Sequence, residues 1–296
     1  MNRTVSVSSK LIPATGRPQR RVWSWQNRRT RALVMMALCV VLLGGVLLAG
    51  YWTGEEGLKT RLSNRNQPPS WAYPFGTDWL GRDMLTRTLM GLGLSLKVGL
   101  AAASVSAVLG MILGLAAAAF GRHVDAAITW AVDLFMSVPH LVLLILLSFV
   151  AGGGLQGVVI AIAVTHWPRL TRVIRAEALQ IKGTDYVQLS AKFGRSRWWI
   201  ARHHIMPHLV PQFLVGLILL FPHAILHEAG LTFIGIGLSP HTPAIGVILS
   251  ESMRHLSTGY WWLAVIPGVA LLVTVKAFDV LGEQVRDLLN PRVSQE

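Results

Sequence analysis

The sequence predicts an all-α integral membrane protein with six transmembrane helices, on three observations. Of its 296 residues, 52% are hydrophobic and 14% charged, whereas soluble domains carry about a quarter charged residues. The mean hydropathy is +0.50, which makes lipid the main solvent and argues against a soluble single-core enzyme. Uncharged apolar runs recur at 32–54, 98–121, 134–168, 203–227 and 255–275, each at least about the 20 residues that cross 30 Å of hydrocarbon.

Residues 1–31 form a basic tail. The first run, Ala32 to Gly54, exceeds the roughly 7–15 residues of a cleavable signal core and reads as a retained membrane helix. Its Cys39 is the single cysteine, so neither an intramolecular disulfide nor a Cys-based metal site can form, and it reads as a small buried apolar residue. An extracytoplasmic segment, 55–97, precedes the second run, Val98 to Gly121. The third, Leu134 to Pro168, is too long for one crossing, and Gly152-Gly153-Gly154 splits it into two helices joined by a tight turn. His203 to His227 and His255 to Val275 complete the six, giving a core of five helices over 98–286 and a short C-tail, 287–296. The uncharged stretch Ala229 to Ser250 carries Gly230, Gly235, Gly237, Pro240, Pro243 and Gly246. It is therefore expected as a loop or re-entrant segment rather than a lipid-facing helix.

The 27 basic and 14 acidic residues give a net charge of +13, which a nucleic-acid surface or membrane topology would explain. Six crossings put both termini on one side. Placing them in the cytoplasm puts 20 of the 27 basic residues there, mostly in the N-tail and between Arg169 and Arg202, as the positive-inside rule requires. The charge is thus read as topological, with the lipid bilayer rather than nucleic acid as partner. Trp52, Trp130, Trp167, Trp261 and Trp262 fall near proposed span ends, as interfacial belts do. Asp133, near the start of span three, would be expensive facing lipid; it is expected to pair with Arg122 or an arginine of a neighbouring helix rather than relay protons.

Residues 169–207 are too polar to cross lipid. A helix over Thr171 to Ile181 is expected to end before Gly183, with Thr184 or Asp185 capping the next. There Tyr186, Leu189, Ser190 and Phe193 recur at i, i+3, i+4 and i+7, an uncharged face. Gly194 permits a turn that a Cβ disfavours, and Ser196 is placed to cap a further helix. Three readings stand on this pattern: a solvated basic loop, a DNA-binding helix-turn-helix, and an element that docks on a partner. Short helices are marginal in water unless an apolar face packs on something.

These residues carry a resemblance. Gln188-Leu189-Ser190, Gly194 and His204-Ile205-Met206-Pro207 resemble the cytoplasmic EAA loop of ABC importer permeases, although the opening triplet departs from Glu-Ala-Ala. Phe75-Gly76-Thr77-Asp78-Trp79-Leu80-Gly81-Arg82-Asp83 resembles the FGTDxxGRD signature of the dipeptide, oligopeptide and nickel permeases of the C-subunit type. Asp133 with Pro139, Glu228 to Gly237 and Phe278 to Arg292 resemble further family segments. The resemblance covers about residues 31–292. It implies an ABC importer permease fold whose coupling helix, around Gln188, Leu189, Ser190, Gly194 and Pro207, sits in a groove of an ATP-binding subunit. It also implies a homologous second permease, two ATP-binding subunits, an extracytoplasmic substrate-binding protein and a bacterial inner membrane. No GxxxxGK[ST] phosphate loop is present, so the chain is not expected to be an enzyme or to bind a cofactor. ATP and Mg belong to the partner subunits.

The motif Gly76, Thr77, Asp78, Gly81, Arg82 and Asp83 suits a compact loop, read either as a structural brace or as a contact with the binding protein or companion permease. His223 and His227 are four apart, so both imidazoles share a helix face. The pair is a candidate half-site for nickel or another late first-row ion, or a polar helix–helix contact. His203, His204 and His208 read as the loop's return to the membrane. The segments Thr165-His166-Trp167 and His223 to Gly230 resemble nickel permeases more than dipeptide permeases. The expected cargo is therefore nickel, another transition metal or a chelate, with di- or oligopeptide as the alternative. Readings of another class are a stand-alone secondary transporter, which predicts inverted repeats, and a membrane-tethered regulator, which predicts salt-sensitive DNA binding.

Overall fold

A computed structural model describes residues 28–289; the tail before Arg28 and the chain after Leu289, including most of the basic N-tail and Arg292, lie outside the described residues. Within them the chain is all helical apart from its loops. In order come α1 (Arg28–Trp52), α2 (Met84–Ala119), α3 (Arg122–Ser137), α4 (His140–Val150), α5 (Gly154–Thr165) and α6 (Trp167–Lys182). Then follow α7 (Asp185–Lys192), α8 (Arg197–Ile200), α9 (Met206–Phe233), α10 (Ile245–Met253) and α11 (Trp262–Leu289).

Helix α2 is the axis of the packing and touches α1, α3, α5, α6, α9, α10 and α11. Small residues allow this. A Cβ on Gly114 would lie 2.8 Å from Ile174 Cβ and 2.9 Å from the Thr171 carbonyl, and one on Gly110 would crowd Leu170. Gly110 and Gly114 are one turn apart, so α6 seats directly on the α2 backbone, as small-xxx-small faces do in membrane bundles. Two apolar cores flank α2. One contains Val158, Ile162, Ile174 and Leu209 from α5, α6 and α9; the other contains Leu43, Ile248 and Leu263 from α1, α10 and α11. Leu38, Val41 and Leu48 on α1 and Leu146 and Phe149 on α4 point outward, the arrangement expected where the outer solvent is apolar.

Among the described residues, four helices are long and apolar enough to cross a membrane, or five if α3 and α4 form one bent span. Six crossings therefore exceed what length and composition carry, and the reason lies between 122 and 182. Helix α3 ends where Val138 is held extended by the clash that precedes a proline, and α4 leaves it at 98°. The Gly152-Gly153-Gly154 turn joins α4 to α5, with all three glycines at positive φ. Helix α5 has 12 residues, about 18 Å, and is separated from α6 at His166 because Pro168 has no N–H to continue the ladder.

Three boundaries differ from the charge-free runs. Helix α2 begins at Met84 rather than Val98: it runs through Lys97, which is exposed, and Arg87, which is buried and ion-paired. Helix α9 continues to Phe233 and α10 starts at Ile245, so only the middle of Ala229 to Ser250 is loop. The final helix starts at Trp262 and runs through the charged residues Lys276 to Asp287.

Candidate functional site

At the foot of α2, the Gly76-to-Asp83 loop is folded onto itself. Asp78 is fully buried. Its Oδ1 accepts the backbone N–H groups of Leu80 at 2.9 Å and Arg82 at 2.8 Å, and its Oδ2 accepts Arg82 Nε at 2.6 Å and Arg87 Nη1 at 2.8 Å. Arg87 continues to Glu251 on α10 at 2.7 Å, so the carboxylate's charge is met where its hydration is lost. Asp83 caps α2, accepting Thr86 N at 2.9 Å and Thr86 Oγ1 at 2.6 Å. Thr77 Oγ1 donates to the Asn64 carbonyl and accepts from Gln67 N. Gly76 and Gly81 both sit at φ +74, and a Cβ at Gly81 would overlap the Arg61 carbonyl. The motif locks the loop to α2 and α10. Arg87 and Glu251 were not singled out by the sequence, because a charge inside an apolar helix is visible there and its partner 164 positions away is not.

At residues 183–205, the helices α7 and α8 form a short hairpin. Gly194 turns the chain at φ +80, and Ser196 Oγ accepts Trp199 N as a cap. Thr184 makes no cap to α7; its hydroxyl donates to the Ile181 carbonyl and closes α6 instead. Gln188 Nε2 donates to the Gly183 carbonyl at 3.0 Å, a bond that a carboxylate, being acceptor-only, would not make. Val187 faces inward, whereas Tyr186, Leu189 and Phe193 are 43%, 51% and 82% exposed. Ser190 Oγ bonds His204 Nε2 at 2.9 Å, linking α7 to the π turn Ala201–Ile205 that leads into α9. Pro207 follows the π turn at the start of α9, inside a helical run continuous from Arg197 to Phe233, so its missing N–H removes one bond of the ladder there. Asp133 pairs with Arg172 of α6 at 2.6 Å, an arginine of a neighbouring helix and not Arg122.

A cavity of about 690 Å³ opens between the α3–α4 bend, the α5–α6 break and α9. Its walls include Pro139, His140, His166, Arg169, Gln212, Gly216, His223 and His227. Both helix interruptions border it, consistent with the rule that irregular backbone at membrane depth lines a cavity or is covered by protein. His140, His166 and His227 come together: their ring centroids are 4.7, 4.8 and 5.1 Å apart. Of the two histidines singled out by helical spacing, only His227 joins this group. His223 lines the same cavity but is not among the three histidines whose ligand nitrogens converge; its Nδ1 donates to the Leu219 carbonyl of its own helix at 3.0 Å. His140 and His166 were not identified as metal candidates, since their positions, 26 apart on different helices, give no periodic signal.

The chain's relatives agree with this architecture. The family model described as binding-protein-dependent transport system inner membrane component matches residues 106–295. A Brucella suis protein provisionally named a peptide transport system permease protein is 38% identical over 270 residues, 91% of this chain and 90% of that protein. The dipeptide transport system permease protein of Bacillus subtilis is 32% identical over 272 residues, 91% of this chain and 85% of its own length. Among solved structures, an inward-facing methionine ABC transporter matches the fold with a TM-score of 0.58 at 18% identity, over 70% of this chain and 98% of that one.

Proposed function

The chain belongs to the family of binding-protein-dependent transport system inner membrane components and is an ABC importer permease of the di- and oligopeptide type; from that premise we propose that it carries short peptides across a bacterial inner membrane. The observation that carries the cargo is the near-full-length similarity to permeases named for peptide and dipeptide transport, which favours the peptide alternative over nickel. The fuller topology belongs to the same reading: six crossings, with α3–α4 completing one and the stretch from α5 to Pro168 another, and both termini in the cytoplasm.

In this reading the face of Tyr186, Leu189 and Phe193 docks on an ATP-binding subunit, where ATP and Mg are held, while a second permease and a substrate-binding protein complete the importer. The hairpin is suited to transmit force. It joins α6 through Gly183 and α9 through the Ser190–His204 bond, and α6 and α9 both line the cavity. A rigid displacement of α7 would thus move two cavity walls together. The Gly76-to-Asp83 loop acts as a brace for the opposite end of α2.

Uptake of a labelled dipeptide and of labelled nickel, in cells with and without the gene, tests the cargo. Loss of dipeptide uptake with nickel uptake retained is expected. The reverse pattern would overturn the peptide reading.

A further inference from the structure

The three-histidine cluster brings three potential metal ligands close together. The ligand nitrogens of His140, His166 and His227 all lie within 4.8 Å of one another. Imidazoles on one tetrahedral ion, at about 2.0–2.1 Å from it, stand about 3.3 Å apart, so modest ring rotations bring the three onto a common centre.

The second observation is the state of His166. Its Nδ1 lies 2.9 Å from the Ile162 carbonyl, and a carbonyl only accepts, so Nδ1 carries the proton. Nε2 is then a bare lone pair. It is buried without any hydrogen-bond partner, and His166 as a whole is 7% exposed. An orphaned buried acceptor is costly, and this one sits in the cluster with the other two imidazoles. Donation of the second ring nitrogen to a backbone carbonyl is also how metal-bound histidines are oriented.

We propose that His140, His166 and His227 bind a late first-row divalent transition-metal ion, with the remaining coordination positions open to the cavity. Three neutral imidazoles suit nickel, copper, zinc or cobalt rather than magnesium or calcium. The cavity walls bring the cation Arg169 and no carboxylate, so the electrostatics favour an ion that arrives with anionic ligands, such as the carboxylate of an amino-acid or short-peptide chelate. The inference rests on the importer reading only for placing the cavity on the cargo path; it assigns the ion a binding site there, not the role of cargo.

The test uses the full permease purified with its partner subunits in lipid nanodiscs through a tag that contains no histidine. Co2+ is added either as the chloride or together with diglycine, and bound metal is read by elemental analysis and visible absorption. One ion per permease chain is expected, with an absorption band of imidazole-bound cobalt. His166→Gln and, separately, His227→Gln should weaken binding by more than about tenfold, whereas His241→Gln, in an exposed loop away from the cavity, should leave it unchanged. A larger signal with diglycine assigns the chelate as the source and a larger one with the chloride the free ion; either supports the site. Absence of specific binding in both arms, or binding unaltered in both His166→Gln and His227→Gln, overturns it. The readout is bound metal, not transport, so this failure is distinct from a failure of dipeptide uptake.

Discussion

The loop at Gly76-to-Asp83 and the hairpin at 183–205 are both short polar insertions between long helices, yet they treat their side chains in opposite ways. In the first, Thr77 and Asp78 are fully buried, and Asp78 is shared between two arginines, one of which reaches Glu251 on another helix. In the second, Val187 faces inward while Leu189 and Phe193 present an apolar face to the outside. A motif whose groups are spent inside the chain stabilises that chain, and one that leaves a large apolar surface uncovered is shaped for something else. The difference turns two family-like motifs into distinct expectations: damage to the loop should appear as instability, and damage to the hairpin as lost coupling.

The sharpest way to break that contrast is Asp78→Ala. It leaves the buried Arg87 with only Glu251, and removing one partner of a buried ion pair costs about 3–5 kcal/mol. Thermal denaturation of the solubilised complex should register the loss. A variant that stays as stable as the parent but no longer transports would instead make the loop a partner contact.

Phe193→Ala probes the other side. At 82% exposure its truncation should change stability by no more than about 0.5 kcal/mol. If Phe193 anchors the docked face, affinity for the ATP-binding subunit should fall by about 2 kcal/mol, roughly thirtyfold. Co-elution with that subunit checks this, and undiminished co-elution would return the hairpin to a solvated loop. Gly194→Leu should act more mildly. Nothing lies within 4 Å of a Cβ there, so the cost is the left-handed backbone alone, about 1–2 kcal/mol. Transport-coupled ATP hydrolysis should drop while assembly stays largely intact; normal transport would refute the docking assignment.

What could be read from the sequence follows the same division. The glycine turn at 152–154, the Ser196 cap and the exposed face of α7 are local patterns, each written within a few residues, and each has its counterpart in the structure. The start of α2 was hidden because a window that rejects charges stops at the exposed Lys97 and cannot see, further back, that Arg87 meets Asp78 and Glu251. The helix breaks at Pro139 and His166 were missed for a related reason: both lie inside a long apolar run whose hydropathy does not register a bend. His140 and His166 then went unpaired with His227 because the cluster exists only once those bends have folded three helices around one cavity.

The smallest effect is expected at Asp133, which tests whether pairing alone makes a brace. Its bond to Arg172 is 2.6 Å, as short as the Asp78–Arg82 bond, but the two side chains are 59% and 50% exposed. Exposed pairs hold about 0–1 kcal/mol and lose it to salt, because water solvates the separated charges nearly as well as they solvate each other. Asp133→Asn should therefore shift the melting temperature little and leave uptake intact, including its response to an imposed proton gradient, since a solvated ion pair is not a relay. A loss approaching that of Asp78→Ala would mean that the α3–α6 surface is desolvated in the assembled importer. The Asp133–Arg172 pair would then belong with the buried network, and short distance in the isolated chain would be a poorer guide to strength than what covers the pair in the complex.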